Sequence, residues 1–451
     1  MRARSLYRWS AAATLAWTAA VLLAPRPAGA HGGPHDDTAA AAADGPIPAQ
    51  TSLVTWRYNH DGHRGTYRLS DGRTGTNLAD VQGLLFDAQS VYVRASGVPA
   101  YDIGPFDDGN PNVPGEQGFT FRLPLAPAAA DAPAATGLGN IGTFVNGVPL
   151  YNALDDWSWN ASVRRDAPNM GGMGGQRGDR VWNRNAALAE RRGFDSCLGH
   201  PSRGRPQGAA GANGRYHHHI DPVCLRRALG DTDPTRHSPI LGWVFDGYPL
   251  YGPYGYSDPN DPVSPVRRMR SSYHARDITV RTTRPDGTAV PAAQVGPPVG
   301  ATFPLGWYVE DFVFHAGSGD LDAFNGRWTR TPEFPDGIYA YFTTIDEVGE
   351  PAYPYLVGPH YRGTVAADNL GPMARVVVPP GASTWIPPLG TAAAPMPTVT
   401  TSLPTPALAS PTPSAVSTAA PTSTASPTSV EPAPTAQGPV GRCYLPWAGA
   451  F

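Results

Sequence analysis

Ile240-Leu241-Gly242-Trp243-Val244-Phe245-Asp246-Gly247-Tyr248-Pro249-Leu250-Tyr251-Gly252-Pro253 reads as two short aromatic-rich strands folded back on a tight turn. Asp-Gly supplies the turn, because glycine takes positive φ without steric cost and aspartate bonds its own backbone. Pro and Gly then end the second strand. Outward from this hairpin the same texture recurs. Ser90-Val91-Tyr92-Val93-Arg94, Phe119-Thr120-Phe121-Arg122-Leu123 and Gly337-Ile338-Tyr339-Ala340-Tyr341-Phe342 are β-branched or aromatic runs bounded by Gly, Pro or Asp. Helix signals are sparse, the clearest being Asn183 to Arg192, dense in Ala and Leu and followed by Gly193. Pro168 to Gly178, with its Met-Gly-Gly-Met-Gly-Gly core, reads as a loop, and no repeat of fixed period is visible. The expected fold is mainly β: one large, irregular, sandwich-like or complex β domain with few short helices and long loops.

Composition agrees. Gly and Pro contribute 51 residues each to a chain of 451, about twice their usual share, and both are costly in helix interiors. The net charge of -3 gives no general attraction to nucleic acid, so none is expected as a partner. Every basic residue is Arg. Schiff-base catalysis, a phosphate-loop lysine and a Ser-Lys nucleophile are therefore excluded.

The ends differ from the middle. Arg2, Arg4 and Arg8 precede an apolar run from Trp9 to Ala24, and the small triplet Ala28-Gly29-Ala30 follows. Residues 1–30 thus read as a secretory signal peptide, with a flexible leader over 31–50. The expected product is a secreted, extracellular or cell-surface protein whose mature chain has no transmembrane helix. From 389 to 440 the chain is mostly Pro, Thr, Ser and Ala with one charge, Glu431, a composition that makes a disordered stalk rather than a core. The apolar tail 441–451 offers a cell-surface or cell-wall attachment. Between these ends lie a β-rich part, 51–135, and the main domain, 136–388.

Within the main domain the chemistry concentrates in Asp195-Ser196-Cys197-Leu198-Gly199-His200 and Tyr216-His217-His218-His219-Ile220-Asp221-Pro222-Val223-Cys224. On an extended strand His217 and His219 project from one face about 7 Å apart, with Tyr216 and His218 on the other. Such a pair suits a transition metal, copper or zinc, that needs three or four donors in all. His200 and His237 are the nearest imidazoles to complete a set, with Asp246, His315, Asp322 and Glu333 as accessory candidates. Carboxylates such as Glu310, Asp311, Asp320, Asp322 and Glu333 offer oxygens to calcium, which ranks behind copper and zinc. In an exported protein Cys197 and Cys224 are expected to pair, contributing roughly 3 kcal/mol and holding His200 near the His217 strand. The competing reading of the histidines is a buried hydrogen-bonded network without metal.

Tyr216 to His219, His237-Ser238-Pro239, Asp246 to Pro253, Gly319-Asp320-Leu321-Asp322, Asn325-Gly326-Arg327, Thr331 to Gly337 and Tyr353 to Gly358 together resemble the YHYH-domain family. That resemblance spans about Asn140 to Gly363 and implies a secreted or surface protein, without assigning it a reaction. Two departures stand out: His218 occupies the third position of the name-giving motif in place of Tyr, and Ala323-Phe324 stands where Glu-Cys often follows Leu-Asp. Three functions follow from this reading: an exported metal-binding domain on a stalk, a surface domain recognising glycans or proteins without metal, and a metal-dependent secreted hydrolase or oxidoreductase. No catalytic residue is assigned.

Overall fold

Two hairpins of matching sequence build the centre of the molecule. Asn146-Gly147-Val148-Pro149-Leu150-Tyr151 turns the first and Asp246-Gly247-Tyr248-Pro249-Leu250-Tyr251 the second. The first joins strands Gly142–Phe144 and Pro149–Leu150, the second Ile240–Val244 and Pro249–Tyr251. Their leading strands pair antiparallel, Gly242 opposite Phe144 and Val244 opposite Gly142, which relates the hairpins by an approximate twofold. Side chains are barred where the two backbones approach. A Cβ on Gly142 would meet the Trp243 carbonyl oxygen at 2.7 Å, and one on Gly242 the Thr143 oxygen at 2.7 Å. The computed structural model describes residues 49–107, 112–169, 176–202, 214–370 and 375–387.

The flanks of the two hairpins also correspond. Ile338–Phe342 runs parallel beside Pro249–Tyr251, Leu250 against Tyr341, and pairs antiparallel with Gly326–Thr329. On the other side Leu150 bridges in parallel to His218, and Arg215–His217 pairs antiparallel with His200–Ser202. Each flank is entered through an aspartate loop. Asp195 accepts hydrogen bonds from the backbone N–H of Cys197 and Gly199 and from the Tyr216 hydroxyl. Asp322 does the same for Phe324, Gly326 and Tyr339, and Leu198 and Asn325 sit at positive φ, 62° and 66°. The domain is thus an internal duplication. No fixed period shows it in the sequence, because the connections between equivalent parts differ in length and only turn-forming and tyrosine positions match.

The resulting six-stranded sheet is completed by smaller ones, and the chain is mainly β with few short helices. Ser383–Trp385, Val81–Phe86, Ser90–Ala95 and Phe119–Pro124 form a four-stranded sheet, which meets the second hairpin where Phe121 and Phe245 lie 5.7 Å apart. Its edge strand Ser383–Trp385 comes from the far end of the 136–388 span, so residues 51–135 share a sheet with it. One apolar core runs from Leu53 to Tyr361. A smaller core around Trp159, Trp182 and Tyr308 is pinned by the fully buried Arg281–Asp311 ion pair at 2.7 Å. Asn183 to Arg192 is not one helix: Asn183–Asn185 is a strand, Ala186–Ala189 a single α-turn, and Arg191–Gly193 a 3₁₀ turn. Asn185 explains the switch, since its side-chain oxygen caps Ala187 while its amide reaches Gly306 and Tyr355.

Among the described residues no helix is long and apolar enough to cross a membrane. The expected signal peptide, the leader to Pro48, the Met-Gly loop core at 170–175, the stalk and the tail lie outside the described residues.

Candidate metal centre

His200 and His217 are register partners on adjacent strands, and His219 follows two residues on, where alternation returns its side chain to the same face. Their imidazoles converge. Nε2 of His217 is 3.1 Å from Nε2 of His200 and 3.0 Å from Nε2 of His219. The ring of donors closes through Glu190, whose Oε2 lies 2.9 Å from His200 Nε2 and 3.1 Å from His219 Nε2. None of the four donor atoms is more than 4.8 Å from another. A square ring with ~3 Å edges has its centre about 2.1 Å from each corner, the length of a metal–nitrogen or metal–oxygen bond.

Backbone carbonyls set the tautomers. His217 Nδ1 donates to the Arg215 oxygen at 2.9 Å and His219 Nδ1 to the Asn152 oxygen at 2.5 Å, so Nε2 is the nitrogen that each turns toward the ring. His200 Nδ1 is buried without a partner. All three histidines are buried, and Glu190 is partly exposed although its Oε2 is buried. Tyr151, the last residue of the first hairpin, covers His217 with ring centroids 4.0 Å apart and stands edge-on to His219.

Burial alone would lower the His219 imidazole, but the charge of Glu190 outweighs it and raises it. Burial and the neighbouring His200 and His219 hold the His217 imidazole well below its usual range. Burial alone would raise the Glu190 carboxyl, but His200 and His219 outweigh it and hold Glu190 well below. Asp155, behind the ring and paired with Arg184 at 2.6 Å, is pushed up to about 7 by burial and then by the charge of Glu190. Without an ion, inward lone pairs and a carboxylate at 3 Å stand together only when protons separate them.

Cys197 and Cys224 form a disulfide. It ties the loop that leads into His200 to the helix Val223–Ala228 that follows His219.

The remaining sequence candidates lie elsewhere. His237 is in the other half, its Nδ1 on the Ser238 oxygen at 2.8 Å and its ring against Tyr251 and Tyr256. Asp246 accepts from the Tyr341 hydroxyl at 2.6 Å and from Gly363 N–H at 2.9 Å, Asp322 holds its own loop, and Glu333 accepts from Tyr251 at 2.9 Å. His315 is exposed beside His274. None joins the ring. Of the acids considered for calcium, Asp311 is spent on Arg281, Asp320 on Arg267 and Arg270, and Glu310 on Asn183.

Glu190 was missed from sequence. It sits in an Ala-rich segment that reads as an ordinary helix, with only its position just ahead of the Asp195-to-His200 loop to mark it.

No curated protein and no solved structure matches this chain. The family model described as YHYH protein matches residues 120–353, more than half of the chain, and covers both hairpins, both aspartate loops and all four donors. Tyr216, which locks Asp195, and the two histidines behind it occupy the motif that gives that family its name, and the chain belongs to the YHYH protein family.

Proposed function

We propose that this is an exported metal-binding protein that holds one transition-metal ion at Glu190, His200, His217 and His219. The observation that carries the reading is the closed ring of three imidazole nitrogens and one carboxylate oxygen with edges of 2.9–3.1 Å. Copper and zinc both suit three imidazoles and one carboxylate. Nitrogen-rich donors argue against calcium. Export rests on the signal-like first thirty residues, and display on the Pro-rich segment near the C-terminus.

Elemental analysis of the secreted, untagged chain tests this, before and after reconstitution with copper and with zinc. One equivalent of metal in the wild type and none in Glu190→Ala/His217→Ala is the expected result. In the copper form, electron paramagnetic resonance is expected to show coupling to several equatorial nitrogens. Absence of stoichiometric metal in the reconstituted wild type overturns the proposal and leaves a hydrogen-bonded histidine cluster in a surface-recognition domain.

A further inference from the structure

The Cys197–Cys224 bridge divides the donor ring evenly. Glu190 and His200 flank Cys197, while His217 and His219 lie on the segment that reaches Cys224 five residues after His219. The crosslink therefore joins the segment carrying two donors to the segment carrying the other two. Opening it leaves the two pairs connected by the chain 201–216 and by three register pairs between short strands. What the bridge does for the fold can be read from the other half. There Asp322 accepts from the backbone N–H of Phe324 and Gly326 and from Tyr339, with Asn325 at φ 66°. Asp195 builds the same loop around Cys197. Gly326–Thr329 pairs with Ile338–Phe342 as His200–Ser202 pairs with Arg215–His217. Phe324 stands at the position of Cys197, so loop and strand pair form there without a crosslink. The half that has the bridge is the half that has the donors. The two cysteines also differ in access: Cys197 is buried, whereas Cys224, in the first turn of Val223–Ala228, is half-buried.

We propose that this bridge is a redox switch on the metal ring: oxidised, it holds the two donor pairs together around one ion, and reduction by a dithiol loosens that ion. The inference rests on the metal reading above. In the reducing step a thiolate of the dithiol attacks the Cys224 sulfur, a mixed disulfide forms, and Cys197 leaves as a thiolate that takes up a proton. The second thiol of the dithiol then attacks the mixed disulfide and releases Cys224. One protein disulfide becomes two thiols, and the dithiol becomes a disulfide. None of the four donors is altered. What changes is the cost of ordering them, because the loop that closes around the ring is now open. Groups that support metal ligands without touching the ion typically count for ~10–100-fold in affinity, which sets the size of the effect.

The experiment measures zinc affinity of the full untagged chain in its disulfide form, after reduction with dithiothreitol and anaerobic removal of the reagent, and after reoxidation. Zinc serves as the probe because thiols do not reduce it. The disulfide form is expected to bind one equivalent. The reduced form should bind at least about tenfold more weakly while keeping its near-ultraviolet circular dichroism, and reoxidation should restore the affinity. Cys197→Ala/Cys224→Ala should match the reduced form, which sets aside the freed thiols as donors. Affinity in the reduced chain or the double variant equal to that of the disulfide form overturns the switch and leaves the metal reading standing. Collapse of the near-ultraviolet spectrum on reduction makes the bridge a staple of the fold and overturns the switch as well. A disulfide form that takes up neither zinc nor copper sinks the metal reading itself, and the switch with it.

Discussion

The two halves of the duplication run on the same scaffold and reach opposite chemistry. In the first, the positions paired across the flank are His200 and His217, with His219 beyond. In the second they are Arg327 and Ala340, with Phe342 beyond. Tyr151 covers imidazoles in one, and Tyr251 stacks on Phe342 at 5.7 Å in the other. The Arg327 guanidinium stands over Phe342 at 5.6 Å, so the second half carries a side-chain cation where the first gathers donors. The aspartate loop and the tyrosine that closes it are common to both, and thus belong to the architecture rather than to the site. What distinguishes the site is the three imidazoles, the acid at Glu190 and the disulfide.

The largest effect expected from that contrast is on metal. His217→Ala should lower copper affinity more than about a hundredfold, beyond the range seen for supporting residues around metal sites, while His237→Ala in the other half should leave stoichiometry unchanged in a calorimetric titration. Equal losses from both would break the comparison. Next in size, replacing Cys197 and Cys224 by Ser should cost about 3 kcal/mol in denaturant unfolding. The second half has Phe324 where the first has Cys197, so no equivalent bridge compensates.

A third difference lies at the turns, Asn146 in one and Asp246 in the other. Burial pushes the Asp246 carboxyl up to about 6, against 3.8 when unfolded, so the folded chain keeps a proton that the unfolded chain releases between these values. Stability from this group is therefore full below about pH 3.8 and falls as pH rises toward 6, by on the order of 3 kcal/mol at most. Asp246→Asn should flatten that part of the profile of unfolding midpoint against pH. A slope unchanged by the substitution would assign it to another group.

The smallest effects test the shared frame. Tyr216→Phe and Tyr339→Phe each remove a hydroxyl bound to an aspartate, at 3.0 Å and 2.9 Å. Each should cost about 1–2 kcal/mol, alike for the two halves. A large inequality would show that one loop depends on something more than its tyrosine.

Much of this was legible beforehand, and the reasons are local. Asp246-Gly247 between aromatic runs specified a hairpin, because turn chemistry and strand alternation act within a few residues. His217 and His219 share a face for the same reason, and two cysteines flanking them were expected to pair. His200 was a correct suspicion of proximity. His237 was named on nearness in the chain alone, and the duplication places it in the half that has no donor ring. Glu190 carried no signal, since an acid at the end of a single helical turn looks like any solvated residue until the strand His200–Ser202 is folded against it.

By itself the sequence determined the β texture, the turns, the polar stalk-like end and the family, all of which depend on residue type and short spacing. Tertiary structure decided which donors meet, that the domain is two related halves, and that, among the described residues, only one half gathers three imidazoles and a carboxylate. The physical reason is range. Turn and strand preferences are properties of neighbouring residues, whereas a site with ~3 Å edges is assembled from segments tens of residues apart, and nothing in their separate sequences fixes the distance between them.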